Sequence, residues 1–249
     1  MNKKIQVYLA GSMFCEADRM YNALLAQKIR ERVGEHIDLY VPQENLSIND
    51  KTKCANSHDI FWGDYNRLQN TDIFIARIDG DIPPSGTSAE VGIMSQRRQY
   101  WEHAFDTFRA NYAMANDRLP SKEEELRYKQ IEGYPPMILG LCTDSRNPKR
   151  TYLEAKNELM KNEDYESQYC YFNLFTLGCI KVNGVLTTSI EELVNILEAA
   201  VKIRLGEKYE VKRTLINETR DFRNNKIQKT FIVDYSDGSS KMIQGDDDE

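Results

Sequence analysis

The residues best equipped by type and spacing for chemistry lie in "PPSGTSAEVG", residues 83–92. An apolar, strand-like run precedes this stretch and a helix-like run follows it. Thr87 and Glu90 stand three positions apart, the spacing of a capping box, in which a hydroxyl and a carboxylate close the first turn of a helix. The same carboxylate, at the positive end of a helix and just beyond a strand, is favoured as an anion and lies where α/β proteins place ligands. An anionic carboxylate there is the kind of group that attacks a sugar's anomeric carbon. Glu90 therefore carries two readings, cap and nucleophile. Tyr8 lies toward the end of the first apolar run, "IQVYLAG" (5–11). From there its hydroxyl can reach the same rim and, by donating to one carboxylate oxygen, aim the other at a substrate. Its alternative is a half-buried core aromatic.

Four stretches are expected to meet beyond the carboxyl ends of the strands: "GSMF" (11–14), "RIDGDIPPSGT" (77–87), "TDSR" (143–146) and the turn after "VPQEN" (41–45). They supply Ser12, Asp79, Asp81, Ser85, Gly86, Thr87, Glu90, Asp144 and Arg146, a rim rich in carboxylates and poor in cations. Of these, Ser12, Asp79, Ser85 and Gly86 are the candidates for substrate contact. A polyphosphate site needs a glycine-rich loop with a lysine, and the chain has neither GxxxxGK[ST] nor GxGxxG. A hydroxyl-rich, nearly neutral ligand such as a nucleoside fits this rim better than a nucleoside triphosphate or NAD. Asp64, in "FWGDYNRL", reads on pattern alone as part of a solvated helix face, and Asp72 as a turn residue.

The elements that must position these groups follow from periodicity and punctuation. Strands are expected at 5–11, 36–42, 72–80, 136–144 and, in "GCIKV", 178–182. Helices are expected at 14–34, with Met20, Leu24, Leu25 and Ile29 inward and Gly34 as the stop; at 57–71, with Ile60, Phe61 and Leu68 inward; at 88–114; and at 189–205, capped by Ser189. Strands alternating with helices imply a doubly wound α/β domain, a five-stranded, mainly parallel sheet with helices on both faces. The charged stretch 115–135 lengthens the connection to the fourth strand. Residues 207–249 form a tail in which alternating apolar and polar residues around "RNN" read as an exposed hairpin and "QGDDDE" as a disordered acidic end.

Composition narrows the class further. The chain has 249 residues, is 41% hydrophobic and carries a net charge of −6, which disfavours a general affinity for nucleic acid or anionic membranes. No apolar run approaches the ~18 residues of a membrane span, and "MNKKIQVYLAG" is too short and polar for a signal peptide. Five widely spaced cysteines with no CxxC pair argue against a disulfide framework or zinc site and fit a reducing cytoplasm.

Together "VYLAGSMFCEADRMYN", "VPQEN", "FWGDYNRLQNTDIFIARIDG", "SGTSAEVG", "LCTDSRN" and "FNLFTLGCIKV…SIEELVNIL" resemble the nucleoside 2-deoxyribosyltransferase family over residues 4–205. The resemblance implies a flavodoxin- or Rossmann-like catalytic domain over 1–206, with an inserted segment at about 98–135 and a C-terminal extension at 207–249. It implies exchange of the 2-deoxyribosyl group between nucleobases in nucleoside salvage, with no metal or organic cofactor. Glu90 matches the nucleophile, which forms a covalent deoxyribosyl intermediate, and Tyr8 the tyrosine that orients it. Asp64 matches a carboxylate that contacts the base and helps proton transfer to it. Asn173, in "FNL", matches an asparagine lent across a homo-oligomer interface to the sugar 5′-hydroxyl, and Gly11 and Phe14 match pocket-lining positions. The implied partners are 2′-deoxynucleosides and free nucleobases.

The sequence departs from the family at Pro84, where relatives commonly carry an aspartate that handles the base, and in its long tail. Two other functions therefore stay open. One is hydrolysis of nucleoside 5′-monophosphates, with Ser12, Ser85 and Thr87 holding the phosphate. The other is a non-catalytic nucleoside- or nucleotide-sensing module.

Overall fold

The computed structural model describes residues 4–45, 56–79, 84–144, 174–207, 210–221, 226–235 and 240–246. The chain divides into two units, residues 1–197 and 198–249. In the first unit the strands are β1 (Ile5–Ala10), β2 (Ile37–Tyr40), β3 (Ile73–Arg77), β4 (Met137–Leu141) and β5 (Gly184–Thr187). The helices are α1 (Glu16–Val33), α2 (Ser57–Asn70), α3 (Ser85–Asn116), α4 (Lys122–Glu132), α5 (Leu174–Asn183) and α6 (Ile190–Leu205), the last running on into the second unit. The five strands make one sheet in the order β2-β1-β3-β4-β5, and every pair is parallel. This doubly wound order reverses between β1 and β3, so the crevice for a ligand opens at the carboxyl ends of those two strands. All five residues of β3 are buried, as expected of a strand covered on both faces.

The core of this unit gathers Tyr8 and Ala10 from β1, Phe74 and Ala76 from β3, Ile138 from β4 and Leu186 from β5, with Leu68, Val91, Met94, Leu177 and Ile180 from the helices. Arg97 of α3 reaches under the end of α2, donating to the carbonyls of Leu68 at 2.6 Å and Thr71 at 2.8 Å. These bonds satisfy carbonyls that the end of a helix leaves open and tie the helix that carries Asp64 to the helix that carries Glu90. Asn56 holds the other end of α2, its side chain accepting from the amides of His58 and Asp59.

Several local expectations are corrected. "GCIKV" is not the fifth strand. It lies within α5, which buries Leu177 and Ile180, and the strand is the following "GVLT". A short apolar run carries no periodicity that separates a buried helix from a buried strand. The decisive residue is Gly184, where a Cβ would sit 1.7 Å from the Ile138 carbonyl oxygen, so the strand begins at a position only glycine can occupy. In α1 the buried face is Asn22, Leu25, Ala26, Ile29 and Val33, while Met20 and Leu24 are exposed. In α2 Leu68 is buried but Phe61 is not. Within the charged stretch 115–135 stands a further helix, α4, whose capping box joins Ser121 and Glu124.

The second unit contains an antiparallel sheet of β6 (Glu210–Asp221), β7 (Lys226–Tyr235) and β8 (Ser240–Asp246). Strands β6 and β7 flank residues 222–225, and their pairing runs from Asp221 with Lys226 to Glu210 with Tyr235. Strand β8 includes Gln244, Gly245 and Asp246, so the first half of the acidic end is extended and paired with β7. Among the described residues no helix is long and apolar enough to cross a membrane.

Candidate active site

Strands β1 and β2 repeat one spacing, Ile5 to Tyr8 and Ile37 to Tyr40, and the parallel register sets Ile5 against Ile37 and Tyr8 against Tyr40. Register partners on parallel strands face the same side of the sheet. The two phenol rings therefore stand side by side, with centroids 5.0 Å apart. Each hydroxyl donates to a different carboxylate, and the Tyr8 hydroxyl also lies against Asp64. Tyr8 donates to Oε1 of Glu90 at 2.6 Å, and Tyr40 donates to Oδ1 of Asp64 at 2.9 Å. Asn45, just beyond β2, donates from Nδ2 to the Tyr40 oxygen at 2.9 Å. Two carboxylates and two phenols are thus assembled at the switch point from β1, β2, α2 and α3.

Glu90 is not the closing residue of a capping box. Helix α3 begins at Ser85, with Pro84 as its cap residue and no capping side chain. Proline carries φ near the helical value and lacks the amide that a first turn would leave unpaired, so the helix starts before the hydroxyl pair. Thr87 is buried inside the first turn, and Glu90 falls in the second turn. Gly86 lies four residues before Glu90, on the same face of α3, and the space where its Cβ would be is open. Among the described residues nothing crowds the helix on that side of Glu90.

A second network fixes the loop after β1. The carbonyl of Ser12 accepts from Asn22 Nδ2 at 2.9 Å and from Arg77 Nη2 at 3.0 Å. Arg77, buried at the end of β3, also pairs with Asp18. Hydrogen bonds from the Cys15 thiol and Ser12, with the Arg77 guanidinium, hold the Asp18 carboxyl down at about 2. Asn22 further donates to Gln43 Oε1 at 3.0 Å. Gly11 sits against this network, since a Cβ there would come within 3.1 Å of Arg77. The loop is a pinned edge beside the phenol–carboxylate group.

The expected site residues separate on this frame. Tyr8, Glu90 and Asp64 come together. Ser12 and Gly11 belong to the pinned loop, in which the Phe14 side chain is 86% exposed. Ser85 and Gly86 are exposed on the first turn of α3. Asp79 works between strand ends: its Oδ1 accepts from the Thr143 amide at 2.5 Å and the Thr143 hydroxyl at 3.1 Å, tying β3 to β4. Asn173, Asp81 and Arg146 lie outside the described residues. The sequence reading missed Tyr40, Asn45, Asn22 and Arg77. The first was signalled by the repeated I-x-x-Y of the two strands, and Arg77 by a lone cation at the end of an apolar strand.

The electrostatics run against the expectation from the helix end. Burial is the main cause that pushes the Glu90 carboxyl up to about 7; the nearby Asp64 adds to this and the Tyr8 hydrogen bond opposes it. A helix terminus favours anions only over its first turn, and Glu90 lies beyond it. Burial also raises the Asp64 carboxyl, against hydrogen bonds from Tyr40 and Tyr8. Burial, with both carboxylates adding, drives the Tyr8 hydroxyl far up, so it stays a donor. Because Glu90 is raised above its ordinary 4.5, the folded protein holds a proton that the unfolded chain releases. Stability falls as pH rises from 4.5 to about 7 and stays lower above that. We expect Glu90→Gln to remove this slope. Urea denaturation from pH 4.5 to 8 should show the variant gaining on the parent by at most about 3 kcal/mol at the alkaline end. A constant difference between the two across this range contradicts the buried carboxyl.

Among the described residues no group of three or more His, Cys, Asp or Glu side chains is placed to hold a metal ion. A family model for nucleoside 2-deoxyribosyltransferase matches residues 7–150, which include most of β1, all of β2, β3 and β4, and all four of the phenol and carboxylate residues. An uncharacterized protein of Ureaplasma parvum serovar 3 is 33% identical over 151 residues, spanning 57% of this chain and 88% of that protein. Among solved structures, a conserved protein from Enterococcus faecalis V583 is similar with a TM-score of 0.52 and 29% identity, over 80% of this chain and 99% of that one. A 2-desoxiribosyltransferase from Leishmania mexicana aligns over 79% of this chain and 98% of that one, with 17% identity and a TM-score of 0.42.

Proposed function

The chain belongs to the nucleoside 2-deoxyribosyltransferase family, and from that membership we propose that it moves a 2-deoxyribosyl group from one nucleobase to another through a covalent intermediate on Glu90. The observation that carries this reading is the 2.6 Å hydrogen bond by which Tyr8 holds Oε1 of Glu90 at the switch point, leaving Oε2 to attack. As the bond from the anomeric carbon to Oε2 forms, the glycosidic C–N bond breaks and its electron pair passes to the base. Asp64 supplies the proton that the departing base takes up. The sugar carries oxocarbenium character in the transition state, and the Glu90 carboxylate beside it stabilises that charge before bonding to it. A second base then displaces Glu90. Two displacements at one carbon retain its configuration.

Both carboxyl groups are raised and adjacent, so their titration belongs to the pair. The singly protonated pair is the working state, and the reaction draws on the form with the proton on Asp64 and Glu90 charged, although burial raises Glu90 itself to about 7. Asn173 is assigned to the sugar 5′-hydroxyl of a neighbouring subunit's site on the family resemblance alone. Base exchange of this kind serves nucleoside salvage, and the free thiols of Cys15, Cys142 and Cys179 suit a reducing cytoplasm.

Incubation with 2′-deoxyinosine and adenine tests the reading. Transfer yields 2′-deoxyadenosine and hypoxanthine. Hypoxanthine with free deoxyribose and no deoxyadenosine would make the protein a hydrolase. Nucleoside binding with no release of base would make it a binding module.

A further inference from the structure

Tyr40 lies outside the residues that touch the sugar in this reading, yet its hydroxyl is fixed from both sides. Asn45 donates to the Tyr40 oxygen at 2.9 Å, and Tyr40 donates to Oδ1 of Asp64 at 2.9 Å. A phenol has one proton to give. With an amide already filling its acceptor side, that proton is committed to Asp64. The ring is held as well, between Tyr8 at 5.0 Å and the Arg67 guanidinium at 5.0 Å. Burial pushes the Tyr40 hydroxyl up to about 12, so it remains a neutral donor throughout the working range. The outer side of Tyr40 opens on a groove lined by Leu39, Val41, Glu44, Asn45 and Arg67, so Tyr40 borders solvent on one side and the carboxylates on the other.

We infer that Tyr40 is a positioning residue for base departure: it occupies Oδ1 of Asp64, so that the transferable proton resides on Oδ2 and faces the leaving base. This rests on the transferase reading above. The charged and titratable groups around Asp64 are Tyr40 from β2, Tyr8 from β1, Glu90 from α3, and Arg67 on its own helix, which acts through the Tyr40 ring. In the step itself, the proton leaves Oδ2 for a ring nitrogen of the base as the C–N electron pair moves onto that base. Asp64 is left ionised, and its charge is met by the Tyr40 hydrogen bond. A hydrogen bond to the charged form lowers a carboxyl pKa, so Tyr40 also makes Asp64 a readier acid.

The test compares two donors. One is 2′-deoxyinosine, whose base needs a proton to leave. The other is N7-methyl-2′-deoxyguanosine, whose base already carries a positive charge and departs without one. For Tyr40→Phe we expect kcat on deoxyinosine to fall roughly tenfold to a hundredfold with KM little changed, while the methylated donor changes by less than about threefold. The alkaline limb of the deoxyinosine pH profile should move to higher pH. Asn45→Ala, which keeps the phenol and frees its acceptor side, should show the same donor selectivity in weaker form. Equal losses on both donors, or no loss on deoxyinosine, overturn the positioning role. If the parent protein releases base from neither donor, the transferase reading itself fails, and the two failures are told apart.

Discussion

Glu90→Gln is expected to abolish base exchange while the protein stays folded. Glutamine has the shape of glutamate and can still accept the Tyr8 hydrogen bond seen at 2.6 Å, so the packing between β1 and α3 survives. What would be lost in the proposed reaction is the negative charge that stabilises the oxocarbenium-like sugar and the oxygen that bonds to it. Removing a group that acts only along the reaction path lowers kcat and kcat/KM together. We expect a loss of at least about 10⁴-fold, the scale seen when a covalent nucleophile is removed, with circular dichroism and the melting transition unimpaired. Nucleoside binding should persist, because the carboxylate charge is called on chiefly in the transition state.

Asp64→Asn is expected to give the second large effect. The side chain keeps its size and its place on α2, and Tyr40 can still donate to its carbonyl oxygen. It cannot hand a proton to a departing base. General acid catalysis contributes about 10²- to 10⁴-fold, and exchange of 2′-deoxyinosine should fall by that amount. A donor whose base leaves without a proton should lose far less. The parent's rate on deoxyinosine should also decline at alkaline pH, as Asp64 loses its proton, and at acid pH, as Glu90 gains one, since Glu90 is raised to about 7. The variant should keep the acid limb and lose the alkaline one. An unchanged profile in Asp64→Asn would remove Asp64 from proton transfer.

Much of this arrangement was legible in the sequence because it rests on local patterns. The apolar runs at 5–11, 36–42 and 72–80 named three parallel strands, and the helix expected after the third placed Glu90 beyond the sheet. Tyr8 was recognisable from its position near the end of a strand. Other features depend on tertiary contacts that no window contains. Gly184 is decisive only because the Ile138 carbonyl lies where its Cβ would be, so the fifth strand slid by a few residues in the sequence reading. Asp64 looked like part of a solvated helix face because its partner, Tyr40, is 24 residues away. The Thr87–Glu90 spacing matched a capping box, yet the helix starts earlier, at Ser85 with Pro84 as its cap residue, and the glutamate turns to Tyr8 instead. A local rule gave way to a hydrogen bond between residues 82 positions apart.

Pro84 takes on a definite role in this light. It caps the first turn of α3 and has no side-chain acid to offer, so in the proposed reaction base handling is assigned to Asp64. The two raised carboxyl groups are the counterpart of that design. Burying them lowers stability at neutral pH, a common signature of groups kept for chemistry.

The central claim is that Glu90 bonds to the sugar. Rapid acid quench during turnover of 2′-deoxyinosine, followed by peptide mass spectrometry, reads this directly. The account predicts a mass increase of one deoxyribosyl group on the peptide containing Glu90, absent in Glu90→Gln and discharged on adding adenine. Base exchange proceeding with no adduct, or with the adduct on another residue, would contradict it.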